Sequence, residues 1–313
     1  MVAIVLLIIG LAVLVTAADQ FVDGSVRLAK RYSVPTVVVG ALVIGFGTSA
    51  PEMLVSALAA ASGDRDLGVG NVVGSNVANL SLVLATAGLV AKMTIEPSVL
   101  RREAPLSVGA AALFGFFVWD GRIERWEGLV LGIGMLCAVA LLISHGAADE
   151  FDADEEHLER PTMDFVRVLG GLIGTVAAAQ IVVFSAIELA DLMGVSGGFI
   201  GFSLVALGTS LPELVTTLAS ARRGETGLIA GNLLGSNVFN SLAVGGSIGL
   251  VGPGAIGDDT LSTLGVGVMM TVVLLAFALI LHRQGVSRWN GVVLLVVYAA
   301  AMVILAGDAG LTA

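Results

Sequence analysis

Two glutamates, Glu52 and Glu213, each lie within a long apolar stretch and end the same hexapeptide pattern. The two copies of the pattern are Gly47-Thr48-Ser49-Ala50-Pro51-Glu52 and Gly208-Thr209-Ser210-Leu211-Pro212-Glu213. An ionised carboxylate at mid-membrane depth costs about 3 kcal/mol even on the mildest insertion scale, so it is rarely present without a function. Two such carboxylates in duplicated polar surroundings predict a site for a positive ion.

The polar residues around the two glutamates would offer oxygen ligands only. If the carboxylates face each other, hydroxyl and amide side chains join them at the centre, namely those of Thr48, Ser49, Ser75, Thr209, Ser210, Ser236, Asn79 and Asn240. Pro51 and Pro212 interrupt the hydrogen-bond ladder of their helices and free further backbone carbonyls. A set without thiolate or imidazole suits hard cations such as Ca²⁺ and Na⁺ rather than zinc, copper or iron.

The same residues also have a structural interpretation. Glycine and proline commonly kink or pack membrane helices, serine and threonine bond to their own helix backbone, and asparagines can join neighbouring helices. For Glu52 and Glu213 the structural alternative is a buried ion pair, but no Lys or Arg lies within the core of either motif helix. The glutamates therefore favour a functional interpretation more strongly than their neighbours do.

The composition indicates the surroundings of these residues. Of 313 residues, 57% are hydrophobic and 13% are charged, and the mean hydropathy is +0.99. Apolar stretches of about 20 residues in such a chain indicate membrane helices. We predict ten of them, at about residues 2–18, 35–61, 66–91, 104–119, 126–144, 164–190, 196–221, 226–251, 262–281 and 289–306. The first is expected to be an uncleaved helix rather than a signal peptide, because no basic residue precedes it.

The distribution of basic residues predicts the orientation. With the N-terminus outside, 12 of the 15 Lys and Arg residues fall in cytoplasmic loops, and only Arg65, Arg122 and Arg125 fall outside. The positive-inside rule then predicts that both termini lie outside, and the uncleaved first helix predicts residence in the plasma membrane. Much of the net charge of −10 comes from a cytoplasmic run between Asp149 and Glu159. We interpret that run as a solvated linker rather than an adaptation to high salt or a regulatory cation site.

An internal duplication relates the two motif blocks. A constant offset of 161 residues maps Glu52 onto Glu213 and continues in register through matched pairs: Thr48/Thr209, Ser49/Ser210, Pro51/Pro212, Gly63/Gly224, Gly70/Gly231, Asn71/Asn232, Gly74/Gly235, Ser75/Ser236, Asn76/Asn237 and Asn79/Asn240. Each half contains five predicted helices, and an odd number forces the second half to enter the membrane in the opposite sense. Inverted repeats of this kind are typical of secondary transporters, whose binding site lies near the bilayer midplane at interrupted helices.

The predicted fold is therefore an all-α polytopic membrane protein with ten transmembrane helices in two inverted-topology repeats of five. Residues 1–148 form the first repeat, with its motif block at about 40–90. Residues 149–163 form an acidic cytoplasmic loop. Residues 164–313 form the second repeat, with its motif block at about 200–250.

The two blocks resemble the alpha repeats of the sodium/calcium exchanger branch of the cation/calcium exchanger superfamily. The shared pattern is G-T-S-x-P-E followed by G-N-x-x-G-S-N-x-x-N, and the ten-helix layout extends the resemblance over the whole chain. The resemblance implies that Ca²⁺ binds to Glu52, Glu213, Thr48 and Thr209. It also implies one sodium site at Glu52, the Gly45 carbonyl, Ser75 and Ser210, and a mirror site at Glu213, the Ala206 carbonyl, Ser236 and Ser49. Asn79 and Asn240 would complete the centre.

The chain departs from the family pattern in one respect. Many relatives carry Asp where this chain has Asn240, and potassium-dependent members usually carry Asp at Asn79 or its mate, so two amides argue against potassium co-transport. Proton-coupled relatives often place His directly after the motif glutamate, whereas this chain has Met53 and Leu214. The resemblance therefore favours sodium over protons as the coupling ion.

We therefore predict an electrogenic Na⁺/Ca²⁺ antiporter that exchanges three Na⁺ for one Ca²⁺ by alternating access. The alternatives are an antiporter of protons against Ca²⁺ or another divalent cation and, more remotely, a cation channel. The motifs of common hydrolases and phosphate-binding enzymes are missing from the sequence, so an enzyme is not expected. We expect no cofactor beyond the transported ions, no nucleic-acid partner, a lipid bilayer as the surroundings, and a functional monomer.

Overall fold

The computed structural model describes residues 2–148, 161–192 and 206–308, which are almost entirely helical. The helices are α1 Val2–Arg31, α2 Thr36–Thr48, α3 Ala50–Ala61, α4 Arg65–Val90, α5 Pro97–Arg101, α6 Glu103–Val118, α7 Arg125–Ala148, α8 Pro161–Leu192, α9 Ala206–Thr209, α10 Leu211–Arg223, α11 Thr226–Val251, α12 Val266–Arg283 and α13 Arg288–Asp308. The strands are β1 Met93–Thr94, β2 Arg122–Ile123, β3 Gly254–Ala255 and β4 Gly285–Val286. Wider π-helical turns occur at Gly40–Gly45, Asn79–Val83, Asn240–Val244 and Leu261–Gly265.

All ten predicted segments contain helix. Within the described ranges, seven helices are long and apolar enough to cross a membrane, and the bent pair α2–α3 makes an eighth span. The predicted count of ten is compatible with this result, because α6 has only 16 residues and the segment 196–221 is described only from Ala206. Large apolar side chains such as Phe116, Ile173 and Val296 are exposed on the outer surface, as expected where lipid is the solvent.

Two predicted boundaries are wrong. The first helix does not end at residue 18 but continues to Arg31, because the extension buries Phe21, Val22 and Ala29 in a cluster shared with Val168 of α8. An ion pair one turn apart between Arg27 and Asp23, at 3.0 Å, lies on its partly exposed side. The acidic loop was predicted to extend to residue 163, but α8 already begins at Pro161, a residue whose fixed φ suits the first turn of a helix. The acidic run at 149–159 lies outside the described residues.

The inverted relation of the halves appears in the strand pairing. β1 pairs with β4, and β2 pairs with β3, both antiparallel. The 161-residue offset carries Met93–Thr94 onto Gly254–Ala255, so exchanging the halves turns one ribbon into the other. Because α6 lies between β1 and β2 in the chain, the two ribbons close opposite ends of the bundle.

The breaks in the motif helices have the same geometry in both halves. α2 and α3 meet at an angle of 43°, and the residue between them, Ser49, has φ −86° and ψ 2°. Ser210 separates α9 from α10 with φ −88° and ψ 4°. Each break thus lies two residues before the proline, which occupies the first turn of the following helix, where its missing N–H is not needed. As a result, both glutamates lie in the first turn of a helix.

Two motif glycines of the second half pack α11 against α2. A methyl group added at Gly235 would lie 2.6 Å from the Cα of Ala41 in α2, and one at Gly231 would overlap the Val37 carbonyl. α11 and α2 therefore touch through their backbones. At Gly70, the counterpart of Gly231, an added methyl would lie 3.7 Å from the side chain of Leu261, which is an ordinary contact.

Candidate cation site

The two motif glutamates lie in the interior of the bundle, where the first turns of α3 and α10 approach each other. Glu52 is 1% exposed and Glu213 is not exposed at all. The hydroxyl of Ser49, which ends the α2 segment, donates a 2.8 Å hydrogen bond to Oε1 of Glu213, 164 residues away in the sequence. This bond directly joins the motif of one half to the glutamate of the other.

Neither glutamate has a cationic partner among the residues that the structure describes. No ion pair within the described part of the chain involves Glu52 or Glu213, and the two carboxylates repel each other. The structural alternative of a buried Glu–Arg or Glu–Lys pair therefore finds no support. Two buried negative charges without a counter-charge are strongly unfavourable unless they are protonated or bind a cation.

The oxygens of the predicted site residues lack the partners that buried oxygens normally have. Seven of them have no hydrogen-bond partner among the residues described: Oε1 and Oε2 of Glu52, Oε2 of Glu213, Oγ of Ser75 and Ser210, and Oδ1 of Asn79 and Asn240. Buried polar atoms without partners are rare in folded proteins and cost about 1–3 kcal/mol each. A cluster of such oxygens provides the ligand type and number that Ca²⁺ and Na⁺ require.

The two central asparagines each begin a π-helical turn. Asn79 opens the turn Asn79–Val83, and Asn240 opens Asn240–Val244. Such turns shift the helical register locally and occur frequently at functional sites. The Nδ2 of Asn79 donates to Oδ1 of Asn237 at 3.1 Å, and the Nδ2 of Asn76 donates to Oγ of Ser241 at 3.3 Å. Asn76, Asn79 and Asn237 therefore join α4 to α11. The Oδ1 atom of Asn79 still has no partner among the described residues.

The threonines of the two motifs both make hydrogen bonds. Thr48 donates to the carbonyl of Ile44 in its own helix at 2.9 Å. Thr209 donates to Oδ1 of Asn71 in α4, at 3.4 Å. Both hydroxyl oxygens retain lone pairs with which they could bind a cation.

The expected sodium ligands are brought together in part. The contact of Ser49 with Glu213 agrees with their assignment to one group. Ser236 of that same group donates to the carbonyl of Gly45 at 3.3 Å, although Gly45 was assigned to the group of Glu52. Ala206 begins α9, one turn before Ser210.

The sequence analysis did not assign a role to Asn71 and Asn232. The Nδ2 of Asn71 donates to the backbone carbonyl of Glu52 at 3.3 Å and to Oγ of Ser56 at 3.0 Å. The Nδ2 of Asn232 donates to the hydroxyls of Thr216 and Thr217, at 3.2 and 3.0 Å. The signal that could have identified them was present, because both asparagines are part of the duplicated pattern.

Comparisons with known proteins place this chain among antiporters and exchangers. The family model described as "Sodium/calcium exchanger protein" matches residues 2–144 and 163–307. The chain is 33% identical to "Putative antiporter CaxA" of Alkalimonas amylolytica, covering 95% of this chain and 97% of that protein. It is 30% identical to "Sodium/calcium exchanger MaX1" of Methanosarcina acetivorans, covering 96% and 97%.

A solved structure is similar over nearly the whole fold. It is the sodium-calcium exchanger NCX_Mj soaked with 2.5 mM Na⁺ and 0.1 mM Ca²⁺, and it matches with a TM-score of 0.85. The identity is 29%, and the match covers 97% of this chain and 99% of that one.

Proposed function

This chain belongs to the sodium/calcium exchanger protein family, and on that premise we propose that it is an electrogenic Na⁺/Ca²⁺ antiporter that works by alternating access. Membership makes it a multi-pass membrane transporter rather than a catalytic enzyme. Its ions are substrates that it carries, not cofactors that it retains. We further propose that three Na⁺ are exchanged for each Ca²⁺.

The observation that carries the proposal is that the two buried glutamates and the other predicted site residues have seven buried oxygens without partners among the described residues. Ca²⁺ takes six to eight oxygen ligands and prefers carboxylates among them. Two carboxylates neutralise one Ca²⁺, or most of the charge of three Na⁺. A single site can therefore accept either load, but not both at once, and this competition is the basis of exchange.

The same charges explain why ions would be exchanged and not leaked. With no cation bound, two carboxylates remain uncompensated in an interior of low dielectric constant, and this raises the free energy of every closed intermediate. A bound Ca²⁺ or a full set of Na⁺ removes most of that penalty. The conformational change that moves the site from one side to the other is therefore fast only with cations bound.

We assign the ligands as follows. Ca²⁺ would be bound by Glu52, Glu213, Thr48 and Thr209. One Na⁺ site would use Glu213, Ser49, Ser236 and the carbonyl of Ala206, and the 2.8 Å bond between Ser49 and Glu213 supports that group. The other would use Glu52, Ser75, Ser210 and the carbonyl of Gly45, with Asn79 and Asn240 at the centre.

The decisive test is Ca²⁺ uptake driven by a Na⁺ gradient. Purified protein in liposomes loaded with Na⁺ should accumulate ⁴⁵Ca²⁺ from a Na⁺-free medium. Glu52→Gln and Glu213→Gln should each reduce uptake to the level of protein-free liposomes, because each removes one of the two charges that neutralise Ca²⁺ while preserving the size of the side chain. Transport retained in either variant would contradict the assignment.

A matched control is available in the same chain. Glu96 precedes α5 and is exposed to solvent, so Glu96→Gln should leave uptake unchanged. The proton-coupled alternative is tested in the same vesicles. If a pH gradient drives ⁴⁵Ca²⁺ uptake without Na⁺, the coupling ion is the proton and not sodium.

We also propose that both termini lie outside a plasma membrane and that the monomer is functional. Arg122 is part of the β2–β3 ribbon, and Arg65 donates to the carbonyls of Gly252 and Pro253 next to it. Two of the three basic residues expected outside therefore lie at one end of the bundle, which supports this orientation. Proteolysis or labelling of a C-terminal tag in intact cells would test it.

A further inference from the structure

Three hydrogen bonds that connect the two halves at the site are made once among the described residues, although the duplicated sequence would allow each of these three twice. Ser49 donates to Glu213. In the mirror bond, Ser210 would donate to Glu52, but the Ser210 hydroxyl and both Glu52 oxygens have no partner in the described structure. Local sequence does not explain the difference, because both serines lie in the same motif and have nearly the same backbone conformation.

Two more hydrogen bonds are made in one half without the corresponding bond in the other half of the described structure. Ser236 donates to the carbonyl of Gly45, whereas its counterpart Ser75 has no partner among the residues described. Thr209 donates to Oδ1 of Asn71. In the mirror bond, Thr48 would donate to Oδ1 of Asn232.

That third mirror bond is not made. Thr48 is turned toward the carbonyl of Ile44, and Oδ1 of Asn232 lacks a partner within the described ranges. Three bonds thus distinguish one side of the site from the other, and all three come from side chains in matched positions.

Asn71 and Asn232 allow this difference to be tested, because they are not among the proposed ion ligands. Both use Nδ2 in the same way. Asn71 binds the backbone carbonyl of Glu52 directly, and Asn232 binds Thr216, whose hydroxyl donates to the carbonyls of Pro212 and Glu213. Each amide therefore supports the first turn of its own glutamate helix. The two asparagines differ in the oxygen, which accepts a bond from the opposite half only at Asn71.

We propose that Asn71 and Asn232 are positioning residues that stabilise opposite conformations of the transporter. In the conformation described, Thr209 is held by Asn71. In the opposite-facing conformation, Thr48 is held by Asn232, and the bond to Asn71 is broken. The inference rests on the proposed alternating-access function, in which inverted repeats exchange conformations between the two states.

The test compares two matched substitutions, Asn71→Leu and Asn232→Leu. Each removes the oxygen that differs between the two sides together with the Nδ2 donor that both sides share. The apparent affinity for an ion at one face falls as the fraction of molecules open to that face falls. Loss of one buried hydrogen bond should shift the ratio of the two conformations by roughly two- to tenfold. The ratio of the Ca²⁺ KM values at the two faces should therefore move in opposite directions in the two variants, and the double variant should lie near the wild type.

The measurement is ⁴⁵Ca²⁺/Ca²⁺ self-exchange in right-side-out and inside-out membrane vesicles without Na⁺. Opposite shifts of the KM ratio support the proposal. Shifts in the same direction, or an unchanged ratio in both variants, overturn it, because a purely structural role would weaken binding at both faces alike. The pair Asn71→Ala and Asn232→Ala makes the same comparison if leucine prevents folding.

Self-exchange needs no coupling ion, so the outcome is separable from the proposed function. If Na⁺ fails to drive uptake while the KM ratios still shift oppositely, the sodium coupling is wrong and the role of the asparagines stands. If no Ca²⁺ is carried, hydrogen–deuterium exchange of the cation-free protein in nanodiscs replaces the flux. Protection near the β1–β4 ribbon and near the β2–β3 ribbon must then change in opposite senses between the two variants, and parallel changes overturn the proposal.

Discussion

At the scale of single residues, the site consists of two carboxylates and a set of neutral oxygens. The neutral members matter as much as the charged ones, because they decide how much negative charge a cation meets. Asn240 is the clearest example. It is buried, and neither of its amide atoms has a partner within the described structure. The resemblance to exchangers implies Asp at this position in many relatives. In the proposed site, a cation would thus meet two charges rather than three.

Asn240→Asp should make the stability of the protein depend more strongly on Ca²⁺. A third carboxylate in the same enclosed space costs several kcal/mol when no cation balances it, and a bound Ca²⁺ offsets most of that penalty. We expect the variant to melt several degrees below the wild type in chelator and to gain more from saturating Ca²⁺. Thermal melting followed by tryptophan fluorescence would measure both temperatures.

Asn290→Asp is a suitable control, because Asn290 is also buried but lies at the start of α13 and bonds to Ser287. Its melting temperature should respond to Ca²⁺ as the wild type does. If Ca²⁺ stabilises Asn240→Asp no more than the wild type, Asn240 does not face the bound cation.

At the scale of helices, α1 and α8 form a closely packed pair. A methyl group added at Gly24 would lie 2.9 Å from the Cβ of Arg167, and one at Gly171 would lie 2.7 Å from the Cα of Phe21. At one end of these two helices, the buried carboxylate of Asp164 forms an ion pair with Arg31 at 2.9 Å. The resemblance to exchangers implies that the first segment of each half, here α1 and α8, slides against the other eight predicted segments. Close packing would let α1 and α8 move as one unit.

Gly171→Ala should destabilise the protein by about 1–3 kcal/mol, because the new methyl group meets the backbone of α1 and the two helices must separate. Gly170→Ala is the matched control. It lies next to Gly171 on the same helix, an added methyl would meet nothing within 4 Å in the described structure, and alanine is the better helix former. Melting of the two variants in detergent should differ accordingly; equal losses would show that α1 and α8 are not in backbone contact.

At the scale of the whole molecule, the bundle is built from two inverted copies whose ends are joined by the ribbons β1–β4 and β2–β3. The arrangement places one charged site in an apolar body and gives the two faces equivalent architecture. A transporter of this kind can run in either direction, and the ion gradients together with the membrane potential decide which. The charge carried per cycle is therefore a property of the whole molecule.

If three Na⁺ exchange for one Ca²⁺, one net charge crosses the membrane per cycle. A potential of 100 mV is worth about 2.3 kcal/mol for that charge and should change the Ca²⁺ ratio at equilibrium roughly 50-fold. The measurement is the final ⁴⁵Ca²⁺ ratio in liposomes with a fixed Na⁺ gradient and a K⁺ potential set by valinomycin. A ratio that does not respond to potential would indicate two Na⁺ per Ca²⁺. Liposomes with the Glu213→Gln variant are the control for passive leak of Ca²⁺.

Much of this protein is determined by its sequence. Helices are the only continuous apolar elements that satisfy their own backbone in lipid, so hydropathy alone locates the ten segments. A duplicated glutamate in such segments marks the site, and an odd number of helices per half predicts the inversion. The end of the first helix at Arg31 escaped this reasoning, because its last turns are polar and hydropathy does not extend to them.

Only the tertiary structure decides which matched side chains bind each other. Ser49 and Ser210 belong to the same motif, as do Asn71 and Asn232, so the sequence assigns equal roles to both members of each pair. In the described structure, α2 packs against α11 through Gly231 and Gly235. Ser49 binds Glu213, while neither the Ser210 hydroxyl nor the Glu52 carboxylate has a partner among the described residues. The physical reason is that a duplicated sequence is symmetric, whereas a site open to one face of a membrane is not.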